Sequence, residues 1–290
     1  QADPAAIAAE PWALLYGGRL VQSGPGAWRF GKTLDLVSDP YLDQHRLDGV
    51  PVLPFAVAME YMAEVVAALG LEADVLELED VRLLQGLRLL QGRLPVEIDV
   101  CTDPASSPEQ RRFDVVLGRA DGEGKFGYRA SVKAGGDVSG KPVPPLSPSN
   151  SLASLAVEDV YRRWLFHGPL FQSIVRIEAI DHCGFDLVLA PSRVEDFCPF
   201  AGRGTWLIDP VIVDALFQGV LIWSRRVRNS ATLPNRVGLI QRFGRESIPN
   251  RLKACVRIHS ETSNPVTMGD AVIVDDRGKV RLAIRQFECT

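Results

Sequence analysis

The 290-residue sequence predicts an α+β fold made of two similar halves, each with antiparallel strands around a buried helix. Two observations indicate this architecture. Two long segments are apolar nearly all round, and each is followed by runs in which apolar and polar residues alternate. Between the halves, residues 136–150 are rich in Gly, Pro and Ser, as a linker is. We therefore expect an N-terminal half over residues 1–135 and a C-terminal half over residues 151–290.

The first apolar segment predicts a helix over residues 55–69. Only Glu60 and Glu64 are charged in it, and Gly70 follows as a C-terminal cap. A helix of this composition must be covered on every side. Residues 121–124 (Asp-Gly-Glu-Gly) predict a hairpin turn between the last two of three strands. The alternating positions of these strands are Val96, Ile98 and Val100, then Phe113, Val115 and Leu117, then Phe126, Tyr128, Ala130 and Val132.

The second apolar segment predicts a helix over residues 210–226. Asp209 is placed to cap its N-terminus, and Pro210 suits the first helical position. Residues 275–278 (Asp-Asp-Arg-Gly) predict the matching hairpin turn. The predicted strands carry Leu252, Ala254, Val256 and Ile258, then Ala271 and Ile273, then Val280, Leu282 and Ile284. Because the order of helix and strands repeats, the sequence indicates a duplication.

Composition excludes several classes of protein. The formal net charge is −4, and no basic stripe with interleaved aromatic residues indicates binding to nucleic acid. No apolar run approaches the roughly 18 to 20 residues needed to cross a bilayer, and the N-terminus lacks the pattern of a signal peptide. We therefore expect a cytoplasmic protein without membrane contact. The first residue is Gln rather than Met, which suggests a piece of a longer protein.

The cysteines indicate neither disulfides nor a metal site. The five are scattered, with no Cys-x-x-Cys or Cys/His ligand spacing, so we expect free thiols and no bound metal. They stand at positions 101, 183, 198, 255 and 289.

The first candidate functional residue is His45, which lies in a Gly- and Pro-containing run just before the first predicted helix. An imidazole, with an ordinary pKa of about 6.5, can act as a base near neutral pH. A single histidine is nevertheless more often structural, and the chain has four. Asp48, three residues further on, is expected to cap the turn rather than to transfer protons.

Asp214 and Gln218 form the second candidate. They fall four residues apart on one face of the second predicted helix, among apolar neighbours. A buried carboxylate is either paired or has its pKa raised until it holds a proton near pH 7. In the second case Asp214 is a general acid. The alternative is a structural role in capping or pairing.

Residues 165–172 form the third candidate. The pair Gly168-Pro169 sets a rigid turn, and the aromatic residues beside it could line a pocket. Without further information, this segment is an ordinary loop.

Taken together and in this order, the three segments resemble the dehydratase domains of polyketide synthases and of related polyunsaturated fatty-acid synthases. The motif His-x-x-x-Gly-x-x-x-x-Pro of that family is matched by His45, Gly49 and Pro54. The motif Asp-x-x-x-Gln/His is matched by Asp214 and Gln218. The resemblance covers the chain from about residue 26 to its end.

Two further motifs of the family are incomplete in this chain. Of Gly-Tyr-x-Tyr-Gly-Pro-x-Phe, the matching residues are Gly168, Pro169 and Phe171. The family's Gly, Tyr and Tyr are replaced by Trp164, Leu165 and His167. Of Leu-Pro-Phe-x-Trp, only residues 233 and 234 match. These departures favour an iterative or fatty-acid type of parent synthase over a modular one.

The resemblance implies a double hot-dog fold and the activity of a 3-hydroxyacyl-[acyl carrier protein] dehydratase, a hydro-lyase. In the implied mechanism, neutral His45 removes the C2 proton and protonated Asp214 donates a proton to the leaving C3 hydroxyl. Gln218 orients the Asp214 carboxyl. The Gly49 amide could polarise the thioester carbonyl, although a glycine needed only for the turn is the alternative. His167 is expected to shape the pocket rather than to take part in the chemistry.

The resemblance also implies partners. The substrate would arrive on the phosphopantetheine arm of an acyl carrier protein, and the domain would need no cofactor of its own. We expect other domains of a parent synthase in the same chain, and a homodimer. The arginines of residues 225–228 either complement the helix dipole or attract the acidic carrier.

Two alternatives to the dehydratase remain open. One is a cyclase of the product-template type, which shares the fold and also uses a His and an Asp. The other is a non-catalytic scaffold that dimerises the parent synthase. The presence of His45, Asp214 and Gln218 argues against the scaffold, because an inactive copy could lose them freely.

Overall fold

The computed structural model describes residues 12–70, 75–104, 106, 110–122, 126–135, 155–202, 204–244, 251–259 and 265–290. The predicted linker over residues 136–150 lies outside the described residues. The same holds for residues 123 and 124 of the first predicted hairpin turn.

The first half contains one long helix and eight strands. A hairpin of β1 (Arg19–Gly24) and β2 (Ala27–Asp35) leads to a 3-10 turn (Pro40–Gln44). A very short hairpin of β3 (Arg46–Leu47) and β4 (Val50–Pro51) then precedes helix α1 (Phe55–Ala67). The half closes with four long strands, which are β5 (Val75–Leu83), β6 (Arg93–Thr102), β7 (Gln110–Arg119) and β8 (Tyr128–Gly135).

The second half repeats this plan with three additional short helical segments. It begins with α2 (Val157–Arg163) and a 3-10 turn (Pro169–Phe171), followed by β9 (Ile174–Asp181) and β10 (Gly184–Leu189). The single-turn helix α3 (Val194–Phe197) then precedes helix α4 (Pro210–Trp223), which continues as a π turn (Ser224–Arg228). The last strands are β11 (Pro234–Phe243), β12 (Leu252–Ile258), β13 (Thr267–Asp275) and β14 (Val280–Cys289).

The long strands form one antiparallel sheet of twelve strands. Its order is β1-β2-β6-β7-β8-β5-β11-β14-β13-β12-β10-β9. From each outer edge inward, the strands of the two halves therefore follow the same order. Helix α1 lies between β2 and β5 in the chain, and α4 lies between β10 and β11. This repeated order is what the predicted duplication requires.

The two halves meet at a seam between β5 and β11, a junction that the sequence did not predict. The strands pair antiparallel from Arg82 opposite Arg236 to Val75 opposite Phe243. On the buried side of the seam, the Gln241 amide donates to Glu77 at 2.6 Å. The predicted pair of sheets is therefore one continuous sheet, because joining the edges satisfies backbone groups that each half would otherwise leave open.

Both long helices are buried, as their apolar composition predicts. Every residue of α4 is buried, and so are residues 55–66 of α1. The two helices pack against each other, with the rings of Phe55 and Phe217 6.1 Å apart. Together they fill the interior of the curved sheet, in one core shared by both halves.

The helix boundaries agree closely with the sequence. Helix α1 ends at Ala67 instead of Leu69, and Gly70 adopts the left-handed conformation (φ +77°) expected of a C-terminal cap. The carboxylate of Asp209 accepts the backbone N–H of Val211 at 3.0 Å, as predicted for the N-cap of α4. Helix α4 gives way to the π turn after Trp223, three residues before its predicted end.

The strands are predicted less completely than the helices. The alternating runs correspond to β6, β7, β8, β12, β13 and β14, although β8 begins at Tyr128 and leaves Phe126 exposed outside it. Strands β1, β2, β5, β9, β10 and β11 were missed. The burial along β9, for example, does not alternate, so its sequence has no clear period of two.

Each of the five cysteines is unpaired. Within the part of the chain that the structure describes, no helix combines the length and the apolar character required to span a membrane.

Candidate active site

A pocket lies where the two halves meet. Its walls are mainly apolar, with Leu53 and Phe55 from the first half and Phe217 and Leu221 from the second. Four predicted site residues face one another in it, namely His45, His167, Asp214 and Gln218. An apolar pocket with a few convergent polar groups is typical of a binding site for a small organic substrate.

His45 follows the 3-10 turn that precedes the β3–β4 hairpin, and it is buried. Its Nδ1 lies 3.2 Å from the carbonyl oxygen of Val52. Because a carbonyl only accepts, Nδ1 carries the hydrogen and Nε2 keeps its lone pair. Burial lowers the pKa of His45 to about 4, against an opposing effect of Asp214. At neutral pH His45 is therefore a neutral imidazole with Nε2 available as a base.

Asp214 and Gln218 lie one turn apart on α4, and the predicted contact between them is present. The Gln218 amide donates to Asp214 Oδ2 at 2.8 Å and to the carbonyl oxygen of Phe171 at 2.9 Å. Both side chains are buried. The amide group therefore holds the carboxylate at a fixed position in the pocket wall.

Tyr161 on α2 holds the side-chain amide of Gln218 in place, and the sequence analysis did not predict this residue. Its hydroxyl donates to Gln218 Oε1 at 3.0 Å and accepts the backbone N–H of Ile174 at 3.2 Å. With Oε1 occupied in this way, the NH₂ group of Gln218 must point at Asp214. The sequence shows only a tyrosine six residues before His167. Tyr161 is 57 positions from Gln218, so no local pattern predicts the contact between them.

His167 lies much closer to the chemistry than the sequence suggested. Its Nε2 is 3.2 Å from Asp214 Oδ2, and the two side chains are 5% and 7% exposed. The backbones of His45 and His167 pair in an isolated β-bridge, and their rings lie 5.3 Å apart. The expectation that His167 shapes the pocket rather than takes part in the chemistry stays a prediction, but His167 directly contacts the Asp214 carboxylate, which the sequence did not indicate.

The protonation of Asp214 also differs from the prediction. Burial raises the pKa of this carboxyl, but the charge and hydrogen bond of His167, the charge of His45 and the Gln218 amide together outweigh burial. The pKa of Asp214 is therefore lowered below its ordinary value. A carboxyl with a lowered pKa tends to be ionised in the free site, so the predicted acid role of Asp214, which stays a prediction, requires it to take up a proton before the acid step.

Gly49 lies away from the pocket, in the exposed turn between β3 and β4. Its φ of +79° is in the left-handed region that favours glycine, and its carbonyl accepts from the Arg46 guanidinium at 2.6 Å. The turn precedes α1 by several residues, so the Gly49 amide is not at the start of that helix. The geometry thus fits the turn requirement, and the contact of the Gly49 amide with a thioester stays a prediction.

Gly168, Pro169 and Phe171 support the pocket from behind. The Gly168 N–H donates to the Gln44 carbonyl at 2.8 Å, and a Cβ on Gly168 would lie 2.2 Å from Gln44 Oε1. Pro169 starts the second 3-10 turn, and the fully buried Phe171 ring lies 5.6 Å from that of His45. These contacts hold the His167 loop against the His45 turn.

Pro54 has a similar supporting role, because it occupies the N-cap position of α1 in an extended conformation. It therefore fixes where the helix begins, directly after the residues that contact the His45 ring.

The same three titratable groups could also bind a metal ion. Among the described residues, one donor atom each of His45, His167 and Asp214 lies within 4.8 Å of the others. Two imidazoles and a carboxylate suit divalent transition metals. These are, however, the lone pairs that an acid–base reaction would use, and the absence of a metal stays a prediction.

Comparisons of the sequence with known proteins identify its family. The family profile described as "Polyketide synthase dehydratase domain" matches residues 14–117, and "Polyketide synthase dehydratase N-terminal domain" matches residues 140–290. The chain is 29% identical over 216 residues to a polyunsaturated fatty acid synthase polypeptide of Thraustochytrium sp.. That match covers 69% of this chain and 7% of the much longer synthase polypeptide.

Solved structures of dehydratases share the fold along nearly the whole chain. The CurF dehydratase of curacin polyketide synthase has a TM-score of 0.73 and 16% identity, with 96% of this chain and 99% of that chain covered. GphF dehydratase 1 has a TM-score of 0.72 and 20% identity, with 94% and 97% covered. The predicted double hot-dog fold is thereby confirmed. Since one profile alone matches more than half of its residues, the chain belongs to the polyketide synthase dehydratase family, whose members are hydro-lyases.

Proposed function

We propose that this chain removes water from a 3-hydroxyacyl thioester that an acyl carrier protein presents on its phosphopantetheine arm, and leaves an enoyl thioester. The observation that carries the proposal is the meeting of His45 and Asp214 in one buried pocket. One comes from the first half and the other from the second, so the pocket has a base and an acid only when both halves are present.

The first chemical task is removal of the proton at C2, next to the thioester carbonyl. His45 suits it because Nε2 has a free lone pair while Nδ1 is held by Val52. With its pKa lowered to about 4, His45 stays unprotonated from neutral pH down to about pH 5. The Val52 carbonyl also stabilises the imidazolium that forms, since Nδ1–H already donates to it.

The second task is departure of the C3 hydroxyl. The electron pair of the C2–H bond becomes the C2=C3 double bond, and the pair of the C3–O bond leaves with the oxygen. We infer that Asp214 takes up a proton when the substrate binds, donates it to this oxygen to form water and is left as a carboxylate, while the Gln218 amide keeps the group in place. The products are water and the enoyl thioester, with His45 protonated.

The pocket suits an acyl chain. Its lining beyond the polar groups is aliphatic or aromatic, including Leu47, Leu83 and Leu233. Such a lining favours a hydrocarbon substrate and excludes water from the reacting atoms.

Relatives support the roles of one histidine and one aspartate. Inactive mutants of the CurK dehydratase replace a His by Phe and an Asp by Asn. These structures are 15% and 14% identical to this chain, and a His and an Asp are also the two acid–base groups of its pocket.

The carrier would dock beside the end of α4. Arg225 and Arg226 in the π turn are exposed, a few residues after Leu221, which lines the pocket. A positive patch there suits an acidic carrier domain. We further infer that the chain is part of a multidomain synthase that forms a homodimer in the cytoplasm, and that its halves divide at residues 136–150.

The proposed reaction is tested with a 3-hydroxyacyl pantetheine thioester, followed by enoyl absorbance and by loss of water in mass spectra. His45→Ala and Asp214→Asn should each lower turnover by about a hundred- to ten-thousand-fold while the circular dichroism spectrum is kept. His182→Ala is the matched control, since this histidine lies exposed between β9 and β10 and should keep full activity.

Two outcomes would contradict the proposal. Unchanged turnover in both variants would remove the roles of His45 and Asp214. A chain that leaves the hydroxyacyl thioester intact but cyclises poly-β-ketone substrates would be a cyclase of the product-template type, and one inactive on both would be a scaffold.

A further inference from the structure

We propose that two tyrosines outside the matched motifs position the acid and the base of the pocket: Tyr161 holds Asp214 in place, and Tyr128 holds His45. This inference rests on the proposed dehydration. Tyr161 acts through Gln218 and Tyr128 acts through a short backbone segment, so both are positioning residues and not catalytic ones.

On the acid side, hydrogen bonds run in one direction from strand β9 to Asp214. The Ile174 N–H donates to the Tyr161 hydroxyl at 3.2 Å. The hydroxyl donates its own hydrogen to Gln218 Oε1 at 3.0 Å, and the Gln218 NH₂ group donates to Asp214 Oδ2 at 2.8 Å. Since each member accepts from the one before it and donates to the next, the chain connects the carboxyl to the backbone of β9.

The side-chain amide of Gln218 is held at both ends, and Tyr161 holds the oxygen end. The Phe171 carbonyl accepts a hydrogen of the NH₂ group at 2.9 Å, which determines the end that faces Asp214. Among the described residues, only Tyr161 donates to Oε1. Without this hydroxyl, the buried Oε1 would lose that donor, and an amide held at one end can tilt away from the carboxyl.

On the base side, every backbone polar group of residues 52 and 53 has a partner. The Val52 N–H donates to the His45 carbonyl at 3.1 Å, and the Val52 carbonyl accepts from His45 Nδ1 at 3.2 Å. The Leu53 N–H donates to the Leu87 carbonyl at 2.9 Å. The Leu53 carbonyl accepts from the Tyr128 hydroxyl at 2.6 Å. Tyr128 therefore completes the support of the segment that holds the imidazole.

The two tyrosines are alike in origin and in chemistry. Each belongs to the same half of the chain as the catalytic group that it positions, and each is distant in sequence from its acceptor, by 57 positions for Tyr161 and 75 for Tyr128. Burial raises the pKa of both hydroxyls. Each therefore keeps its hydrogen at neutral pH and remains a donor, as a positioning role requires.

The test uses Tyr161→Phe and Tyr128→Phe, which remove one hydroxyl each and keep the ring. With the 3-hydroxyacyl pantetheine thioester, each variant should lower kcat about three- to tenfold and leave KM within about twofold. The reason is that the hydroxyls orient reacting groups and do not bind the substrate. Tyr61→Phe is the matched control, because this buried tyrosine hydrogen-bonds Tyr41, lies outside the residues that line the pocket and should keep its kcat.

Double variants separate the two routes. If Tyr161 acts through Gln218, adding Tyr161→Phe to Gln218→Ala should lower kcat by less than about twofold more. Tyr128 supports the other catalytic group, so the losses of Tyr128→Phe and Gln218→Ala should multiply. Losses that multiply in the first pair would overturn the route through Gln218. A loss that disappears in the second pair would overturn the assignment of Tyr128 to the base.

A purely structural role would lower the midpoint of urea unfolding and leave the kcat of the folded protein at that of Tyr61→Phe, which would overturn the inference. If a variant does not fold, NMR of the unmodified chain decides instead. Hydroxyl protons of Tyr161 and Tyr128 that exchange with water more slowly than that of the exposed Tyr16 support the two hydrogen bonds, and equally fast exchange overturns them. Failure of the proposed function is distinguishable, because then the unmodified chain itself would not dehydrate the thioester.

Discussion

Helices α1 and α4 are alike in sequence and in surroundings, yet their polar residues have different tasks. Both helices are buried on all sides in the interior of the same sheet. Each carries two polar side chains spaced four residues apart, Glu60 and Glu64 on α1, Asp214 and Gln218 on α4. On sequence grounds both helices contain a buried acid of the kind that catalysis uses.

The acids of α1 bind backbone amides. Glu60 accepts the N–H groups of Leu207 and Ile208 at 2.6 and 2.9 Å, and Glu64 accepts that of Leu14 at 2.9 Å. Burial raises the pKa of Glu60 to about 7, against the effect of these amides, and raises that of Glu64 well above its ordinary value. Because Leu207 and Ile208 lead into α4, Glu60 connects the two halves.

Asp214 on α4 has titratable partners instead, and its pKa is shifted in the opposite direction, to below the ordinary value. Burial again raises the pKa, but His167, His45 and the Gln218 amide lower it by more. The comparison shows that a carboxyl on an apolar helix does not identify a catalytic site. Glu60 and Glu64 are bound by backbone amides, as a structural role requires, whereas Asp214 contacts an imidazole at the wall of a pocket, as the proposed acid step requires.

The largest expected effect that tests this comparison is the loss of activity in an Asp214 variant. Asp214→Asn should lower kcat by about a hundred- to ten-thousand-fold, since Asn cannot donate a carboxyl proton. The midpoint of urea unfolding should change little, because the amide keeps the shape and the contact with Gln218. A large loss of stability in this variant would mean that Asp214 is structural, like Glu60.

Glu60→Ala should have the opposite result. It leaves the N–H groups of Leu207 and Ile208 buried without acceptors, so the free energy of unfolding should fall by about 2 to 4 kcal/mol. The kcat of the protein that remains folded at low temperature should stay within a few-fold of the original. Denaturant titration and active-site-normalised kinetics measure the two quantities. An unchanged free energy of unfolding in Glu60→Ala would contradict the structural role of Glu60.

Gln218→Ala should have an intermediate effect. It removes one hydrogen bond to a charged group, worth about 1.4 kcal/mol, which corresponds to about tenfold in kcat. Thioester turnover at saturating substrate checks this value. Ala63 on α1 is a suitable control position, because Ala63→Gly also truncates a buried helix residue but lies outside the residues that line the pocket. Full activity in Gln218→Ala would show that Asp214 needs no orienting amide.

The smallest effect concerns the ends of the two helices. The last turn of α1 has no basic residue, whereas α4 continues into a turn with Arg225, Arg226 and Arg228. Arg228 stacks on Trp223 at 4.8 Å, but Arg225 and Arg226 are exposed. Arg225→Glu with Arg226→Glu should raise KM for a carrier-bound substrate a few-fold at low salt and leave KM for the free pantetheine thioester unchanged. Equal changes for both substrates would argue against carrier docking.

The sequence predicted correctly those structural features that depend on residues close together in the chain. The starts of α1 and α4, the cap at Asp209 and the spacing of Asp214 and Gln218 all depend on residues within one or two turns of each other. Strand β12 occupies the predicted residues 252–258 because its alternating side chains face a core on one side only.

Contacts between distant parts of the chain were not predictable in this way. His167 and Asp214 are 47 positions apart, and only the folded pocket shows that they meet at 3.2 Å. The prediction of a raised pKa for Asp214 considered burial without this partner, whose charge and hydrogen bond lower the pKa. Gly49 illustrates a local requirement within a matched motif, since its positive φ alone accounts for a glycine at this turn.

The seam between β5 and β11 also bears on solubility. Among the described residues, each half contributes six strands to the sheet and by itself would have two open strand edges, and the seam leaves β1 and β9 at the ends of the joined sheet. A separated half would expose β5 or β11 to pairing with other chains, and the hydrogen bond between Glu77 and Gln241 would be broken. We therefore expect either half, when produced without the other, to aggregate through that edge.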